Sequence, residues 1–204
     1  MQMFKFFTLT TDIGFKMSKL YIDTKNRSAD IQVSNARLSV EPLSVMTAVN
    51  FSELKISQNT AESLVAFSIG AGIAVSMYDA VTQVGGLLNF VLPDSSKIGP
   101  ESGSRLPYMF ADTGIQAFLE ALNDINVKTE TLKVVIAGGA QILGQMADFN
   151  IGLENYRAVT SILSRENLII HYEDIGGSAK RTLGLDIGSG CNIIQTVGQG
   201  EVKV

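Results

Sequence analysis

The feature that most constrains this chain is a succession of short apolar segments with no helix between them. ELKIS, LVAFSIG, IAVSMYD and LLNFVLP follow one another from Glu53 to Pro93, each bounded by glycine or polar residues. Segments of this length, rich in β-branched and aromatic residues, read as strands. Because they arrive in a run and do not alternate strictly with helices, the pattern favours a mixed α/β or α+β fold over a doubly wound nucleotide-binding fold.

Two helices are expected further along. Phe110, Ile115, Phe118, Leu119 and Leu122 recur at helical spacing, which predicts a helix from about Pro107 to Asn123, with proline tolerated in its first turn. Leu153, Tyr156, Val159, Ile162 and Leu163 share one face of a second, from about Leu153 to Arg165. LKVVIAGG lies between the two helices as a buried strand, and LIIHYEDIGG, KRTLGLDI and CNIIQTV follow as three closing strands.

Residues 1 to 47 are polar and weakly patterned, so the expected division is an N-terminal extension over 1–47 and one domain over 48–204. Met17 is an alternative start, and the opening MQMFKFF does not make a secretory signal. With 46% hydrophobic and 18% charged residues the chain is far from the composition of disorder. No apolar run reaches the roughly 18 to 20 residues of a membrane span, and a cytoplasmic location is expected.

Charge and metal-ligand content narrow the function classes. The net charge is −4, with acids and bases interspersed. There is no basic stripe to neutralise phosphates, which argues against nucleic acid as a partner. One cysteine, Cys191, and one histidine, His171, leave no cluster with zinc-ligand spacing, so neither a metal nor another cofactor is expected. His171 as general base with Cys191 as nucleophile is chemically conceivable, yet no spacing ties them together.

The glycine motifs are individually weak. Ser68-Ile69-Gly70-Ala71-Gly72 lacks the third glycine and the following helix of a dinucleotide site, so a tight turn is expected. Leu185-Asp186-Ile187-Gly188-Ser189-Gly190 looks like an actin-type phosphate loop, but only fourteen residues follow it, and a hairpin turn is expected there. Glu173 and Asp174 are adjacent in a strand, so their side chains point to opposite faces and cannot serve one substrate atom.

Order and spacing carry more than any single motif. SIGAGIAVSMYD, GGLLNFVLPD, IAGGAQIL, IGLENYRAV and EDIGG followed by Arg181 occur in that sequence. This order resembles the CheD family, whose pattern runs roughly LGSCVAV, GGxxHxxLP, a GGA turn, IGxxN heading a helix, and DxGG before an arginine strand. The resemblance spans about Val49 to Val197. It implies a fold shared with the catalytic domain of cytotoxic necrotising factor, β-sheets packed with helices. It also implies deamidation of chemoreceptor glutamines, with a cysteine as nucleophile, a histidine as proton shuttle and a threonine orienting the histidine.

Carried across position by position, the family cysteine falls on Gly72, the histidine seventeen residues later on Asn89, and the threonine six residues before the cysteine on Ala66. The expectation is a non-catalytic CheD-like chemotaxis protein, a pseudoenzyme binding a chemoreceptor segment (a methyl-accepting chemotaxis protein) or a CheC-type phosphatase. On this expectation Asn89 hydrogen-bonds a glutamine carboxamide and Gly72 leaves room for it. The alternative is a chemoreceptor glutamine deamidase with residual or relocated activity. The oligomeric state is not legible.

Overall fold

The computed structural model describes residues 30–33, 36–39, 45–99, 101–141 and 150–204. The chain divides into two compact units, Met1–Leu43 and Ser44–Val204. In the first, β1 (Asp30–Val33) pairs antiparallel with β2 (Ala36–Ser39). The expectations of a leader and of a start at Met17 lie outside the described residues.

The second unit holds β3 (Val45–Ala48), β4 (Glu53–Ser57), β5 (Glu62–Ile69), β6 (Ile73–Asp79) and β7 (Val84–Phe90), then α1 (Ser102–Arg105) and α2 (Ala111–Asp124). After these come β8 (Leu132–Gly138), α3 (Ile151–Arg165), β9 (Ile170–Ile175), β10 (Arg181–Asp186), β11 (Asn192–Thr196) and β12 (Gly200–Lys203). One five-stranded sheet has the order β12-β11-β10-β5-β3 and the other β4-β7-β6-β8-β9. The architecture is α+β, as the run of strands implied.

Side-chain alternation sorts the apolar residues into two layers. Ile73, Val75, Met77, Leu88, Phe90, Val134 and Ile136 face α2 and α3, packing on Ile115, Phe118, Leu122, Val159 and Leu163. The intervening residues Ala74, Tyr78, Leu87, Val135 and Ala137 face the other sheet, meeting Leu64, Ala66, Ile69, Leu183 and Leu185. The β4-to-β9 sheet is therefore the middle layer. Its central strands are covered on both faces, which explains why β6 and β8 are almost continuously apolar.

Gly86 on β7 shows how closely these layers approach, because a Cβ there would fall 2.5 Å from the Phe118 ring. Its neighbour Gly85 has the same role toward the other sheet, where a Cβ would meet Leu185 at 2.8 Å. The glycine pair of the GGLLN motif is thus a packing requirement on both faces of one strand.

Three boundaries differ from expectation. The first helix starts at Ala111, four residues late, because Pro107–Met109 forms a 3-10 turn and the backbone of 109–111 is engaged elsewhere. The Val91 and Leu92 amides donate to the Met109 carbonyl, and the Ala111 amide donates to that of Leu92. The second helix starts at Ile151, capped by Asn150, whose side chain accepts from the Leu153 amide at 3.0 Å. Four strands, not three, close the chain, since Gly200–Lys203 adds an edge strand on β11. No alternating apolar pattern announces GEVK.

Candidate functional site

The three positions matched to the family's catalytic residues lie at one end of the sheets. In β5, Ala66 pairs with Leu183 and Ile69 with Arg181, so three steps on β5 oppose two on β10. This bulge, with Ser68 at φ 55°, turns both Ala66 and Ile69 inward and leaves Phe67 exposed. Ala66 is 0% exposed, in the layer between the sheets.

The chain then turns through Gly70–Gly72 into β6, as the glycine spacing implied. A Cβ on Gly72 would lie 2.5 Å from the Phe90 carbonyl oxygen. Asn89, on β7 beside Ala74, is 1% exposed. Its Nδ2 donates to the Val49 carbonyl at 3.4 Å, and its Oδ1 has no partner among the described residues. A side chain on residue 72 would thus meet backbone, while Gly72 itself is partly exposed and Asn89 is enclosed.

Two polar groups organise this end of the molecule. Asn155 of α3 is 0% exposed, and its Nδ2 donates to the carbonyls of Ala71 and Val91, both at 2.8 Å. Arg181 of β10 donates to Asp174 from Nε at 3.0 Å and Nη2 at 2.8 Å, and from Nη1 to the carbonyls of Gly176 and Ala179. Thr196 of β11 donates to the other oxygen of Asp174 at 2.7 Å. Burial pushes the Asp174 carboxyl up, but the hydrogen bonds from Arg181 and Thr196 outweigh it and hold the group below the ordinary carboxylate range. The motif order of the sequence exposed both residues, Asn155 in IGLEN and Arg181 after EDIGG, but not these contacts.

Glu173 and Asp174 point apart as expected, for Glu173 accepts from the Tyr156 hydroxyl on α3 at 3.0 Å. Tyr156 lies in a groove of about 410 Å³ with Gly139, Gln141, Asn150, Leu153 and Ser178 on its walls. Ala66, Gly72 and Asn89 do not line it.

His171 and Cys191 are not brought together. His171 is the bulged residue of edge strand β9, where its Nδ1 accepts from the Val134 amide at 3.2 Å. Cys191 lies in the β10–β11 hairpin of the other sheet, its Sγ 3.7 Å from the Asn192 carbonyl. Val134 pairs with Met77, and a Cβ on Gly190 would fall 2.2 Å from the Tyr78 ring. Both residues therefore lie toward the end of β6 remote from Gly72. The DIGSG segment is the expected hairpin turn, with the Ser189 amide and hydroxyl donating to Asp186.

The profile of the CheD family, described as CheD chemotactic sensory transduction, matches residues 91–196. A protein of Syntrophus aciditrophicus named probable chemoreceptor glutamine deamidase CheD 1 is 35% identical over 150 residues, covering 74% of this chain and 93% of the relative. Relatives named probable chemoreceptor glutamine deamidase CheD are 36% identical in both Solibacter usitatus and Symbiobacterium thermophilum. They cover 70% and 76% of this chain, and 83% and 95% of their own lengths. With this coverage, and with the family's motifs in order along one α+β domain, the chain belongs to the CheD family of chemotaxis proteins.

Proposed function

We propose that this protein is a non-catalytic CheD-family member of the cytoplasm that binds a chemoreceptor segment or a CheC-type phosphatase. The observation that carries the reading is the set of residues at the family's catalytic positions, Gly72, Asn89 and Ala66. Glycine has no nucleophile, an asparagine amide does not cycle a proton near neutral pH, and alanine has no hydroxyl to orient a base. Loss of the nucleophile alone in another hydrolase class costs about 10⁶-fold in turnover. The enclosure of Ala66 and Asn89 and the backbone contact at Gly72 support the reading. The names of the relatives supply the chemoreceptor as the first partner to test.

Calorimetric titration with chemoreceptor fragments and with a CheC-type protein tests the binding. Saturable heat with either partner is expected, and no binding to both overturns the proposal. In parallel, glutamine-containing receptor fragments are incubated with the protein and followed for ammonia and for the mass shift of deamidation. No turnover is expected. Turnover abolished by Cys191→Ser would instead establish a relocated active site.

A further inference from the structure

We propose that the open edge of β12 pairs two copies of this chain, antiparallel about a twofold axis at Val202, joining their β12-to-β3 sheets into one.

Among the described residues β12 borders β11 alone. Asn192 and Val204 exchange both backbone bonds, at 2.8 and 2.9 Å. In an antiparallel ladder such pairs alternate with pairs that exchange none. Following the register back from Val204, Val202 opposite Ile194 is bonded to β11, whereas Lys203 opposite Ile193 and Glu201 opposite Gln195 are not. The amides and carbonyls of Glu201 and Lys203 therefore point away from β11, into the open edge. A Cβ on Gly200, at the start of the strand, would meet nothing within 4 Å.

The side chains alternate in step. Val202 shares a face with Ile194, on the side of the layer between the sheets, yet is 44% exposed. Glu201 and Lys203 share the other face, exposed and 3.8 Å apart.

These features select one occupant and one register. An open edge strand is a template for a further strand. A twofold axis at Val202 sets Glu201 of each copy opposite Lys203 of the other. Each such pair exchanges two backbone bonds, so every open amide and carbonyl of the two residues finds a partner. The Val202 side chains meet at the axis, in the closer spacing of a non-bonded pair, and cover each other. Around them the charges alternate in sign. Moving the axis to Glu201 or to Lys203 would place like charges opposite each other, which destabilises a sheet pair. Lysine on a short edge discourages indiscriminate pairing, and here the second copy supplies the matching glutamate. One short strand per copy is a small contact, so the association is weak and reversible. β11 and β10 separate β12 from β5, the strand of Ala66, which takes no part in the pairing.

Sedimentation equilibrium of the protein, with variants that change only the charge order, tests the pairing. A monomer–dimer equilibrium between about 10 μM and 1 mM is expected. Glu201→Lys and Lys203→Glu each set like charges in opposition, and each should raise Kd about tenfold or more. An equimolar mixture of the two variants puts unlike charges opposite again and should associate as the parent does. A protein that stays monomeric throughout this range overturns the proposal. So does a dimer that neither substitution weakens, or one that the mixture does not restore.

Amide hydrogen exchange gives a second reading on the unmodified protein. As concentration rises, the Glu201 and Lys203 amides should exchange more slowly, while the Val202 amide, already bonded to β11, is unchanged. Slowing confined to another strand would place the contact elsewhere and overturn the assignment.

Discussion

Arg181 Nη2 lies 2.8 Å from Asp174 Oδ1 and joins β10 of one sheet to β9 of the other. The guanidinium is almost fully buried; its Nε also donates to Asp174, and its Nη1 donates to two backbone carbonyls. Removing one partner of a buried ion pair leaves the other uncompensated. Arg181→Ala is expected to destabilise the domain by about 3–5 kcal/mol. Arg181→Lys should recover only part of this, since one ammonium cannot reproduce the fork. Urea unfolding of both variants measures the difference, and equal stability of Arg181→Ala and the parent protein would contradict the assignment.

The same carboxylate sets a pH dependence. Asp174 and Glu62 are both held below their ordinary range. For Asp174 the bonds from Arg181 and Thr196 overcome burial, and for Glu62 the bonds from Ser57 and Thr47 do so. A carboxyl whose folded value is depressed contributes stability that is complete above its unfolded value of about 4 and is lost as pH falls through the lower folded value. The protein should therefore lose stability below about pH 4. Asp174→Asn should flatten this acid limb while lowering stability at pH 7, as read from denaturation midpoints; an acid limb identical to that of the parent would remove Asp174 from the account.

Asn155→Ala strips the part-buried carbonyls of Ala71 and Val91 of their donor. Each is only part-buried, so about 1–2 kcal/mol apiece, the lower part of the range for an unsatisfied group, gives an expected loss of about 2–4 kcal/mol. Asn155→Asp should be no better than alanine, because a carboxylate has no N–H to offer the carbonyls. If aspartate matched asparagine in thermal unfolding, the donor role would be wrong.

Gly86→Ala drives a methyl group into the Phe118 ring, 2.5 Å from the Cβ position. Overpacking of this kind costs about 1–3 kcal/mol. Pairing it with Phe118→Leu should recover part of the loss, so that the double variant is more stable than the sum of the single effects. Strict additivity would place the two residues out of contact.

Cys191→Ser should change stability by no more than about 0.5 kcal/mol, since the residue is only half-buried and its thiol makes a long, weak contact with the Asn192 carbonyl. His171→Leu should cost about 0.5–1.5 kcal/mol through the lost bond to the Val134 amide. Neither change should alter partner binding measured by titration.

Much of this architecture was legible because the middle sheet is buried on both faces. That demand writes itself into IAVSMYD and LKVVIAG as nearly unbroken apolar runs. The helices were legible from their apolar stripes, although the start of α2 depends on long-range bonding between Leu92 and residues 109–111, which no local pattern encodes. Edge strands fared differently. Val45–Ala48 and Gly200–Lys203 carry little buried surface, so nothing in their composition separates them from loops. Motif spacing matched Ala66, Gly72 and Asn89 to the family's catalytic positions, but the Phe90 carbonyl that a side chain on residue 72 would meet is a backbone atom and leaves no trace in residue identity.

The two-sided burial of the middle sheet has an evolutionary corollary. The main apolar layer lies in the interiors of β6, β7 and β8, whereas Gly72 stands in the turn before β6 and Asn89 next to the end of β7, and only Ala66 belongs to a core strand. Selection on shape and selection on chemistry thus fall on different parts of the same strands. A lineage built on this plan is free to surrender a reaction in a few substitutions while its outline, and every surface that outline presents, persists.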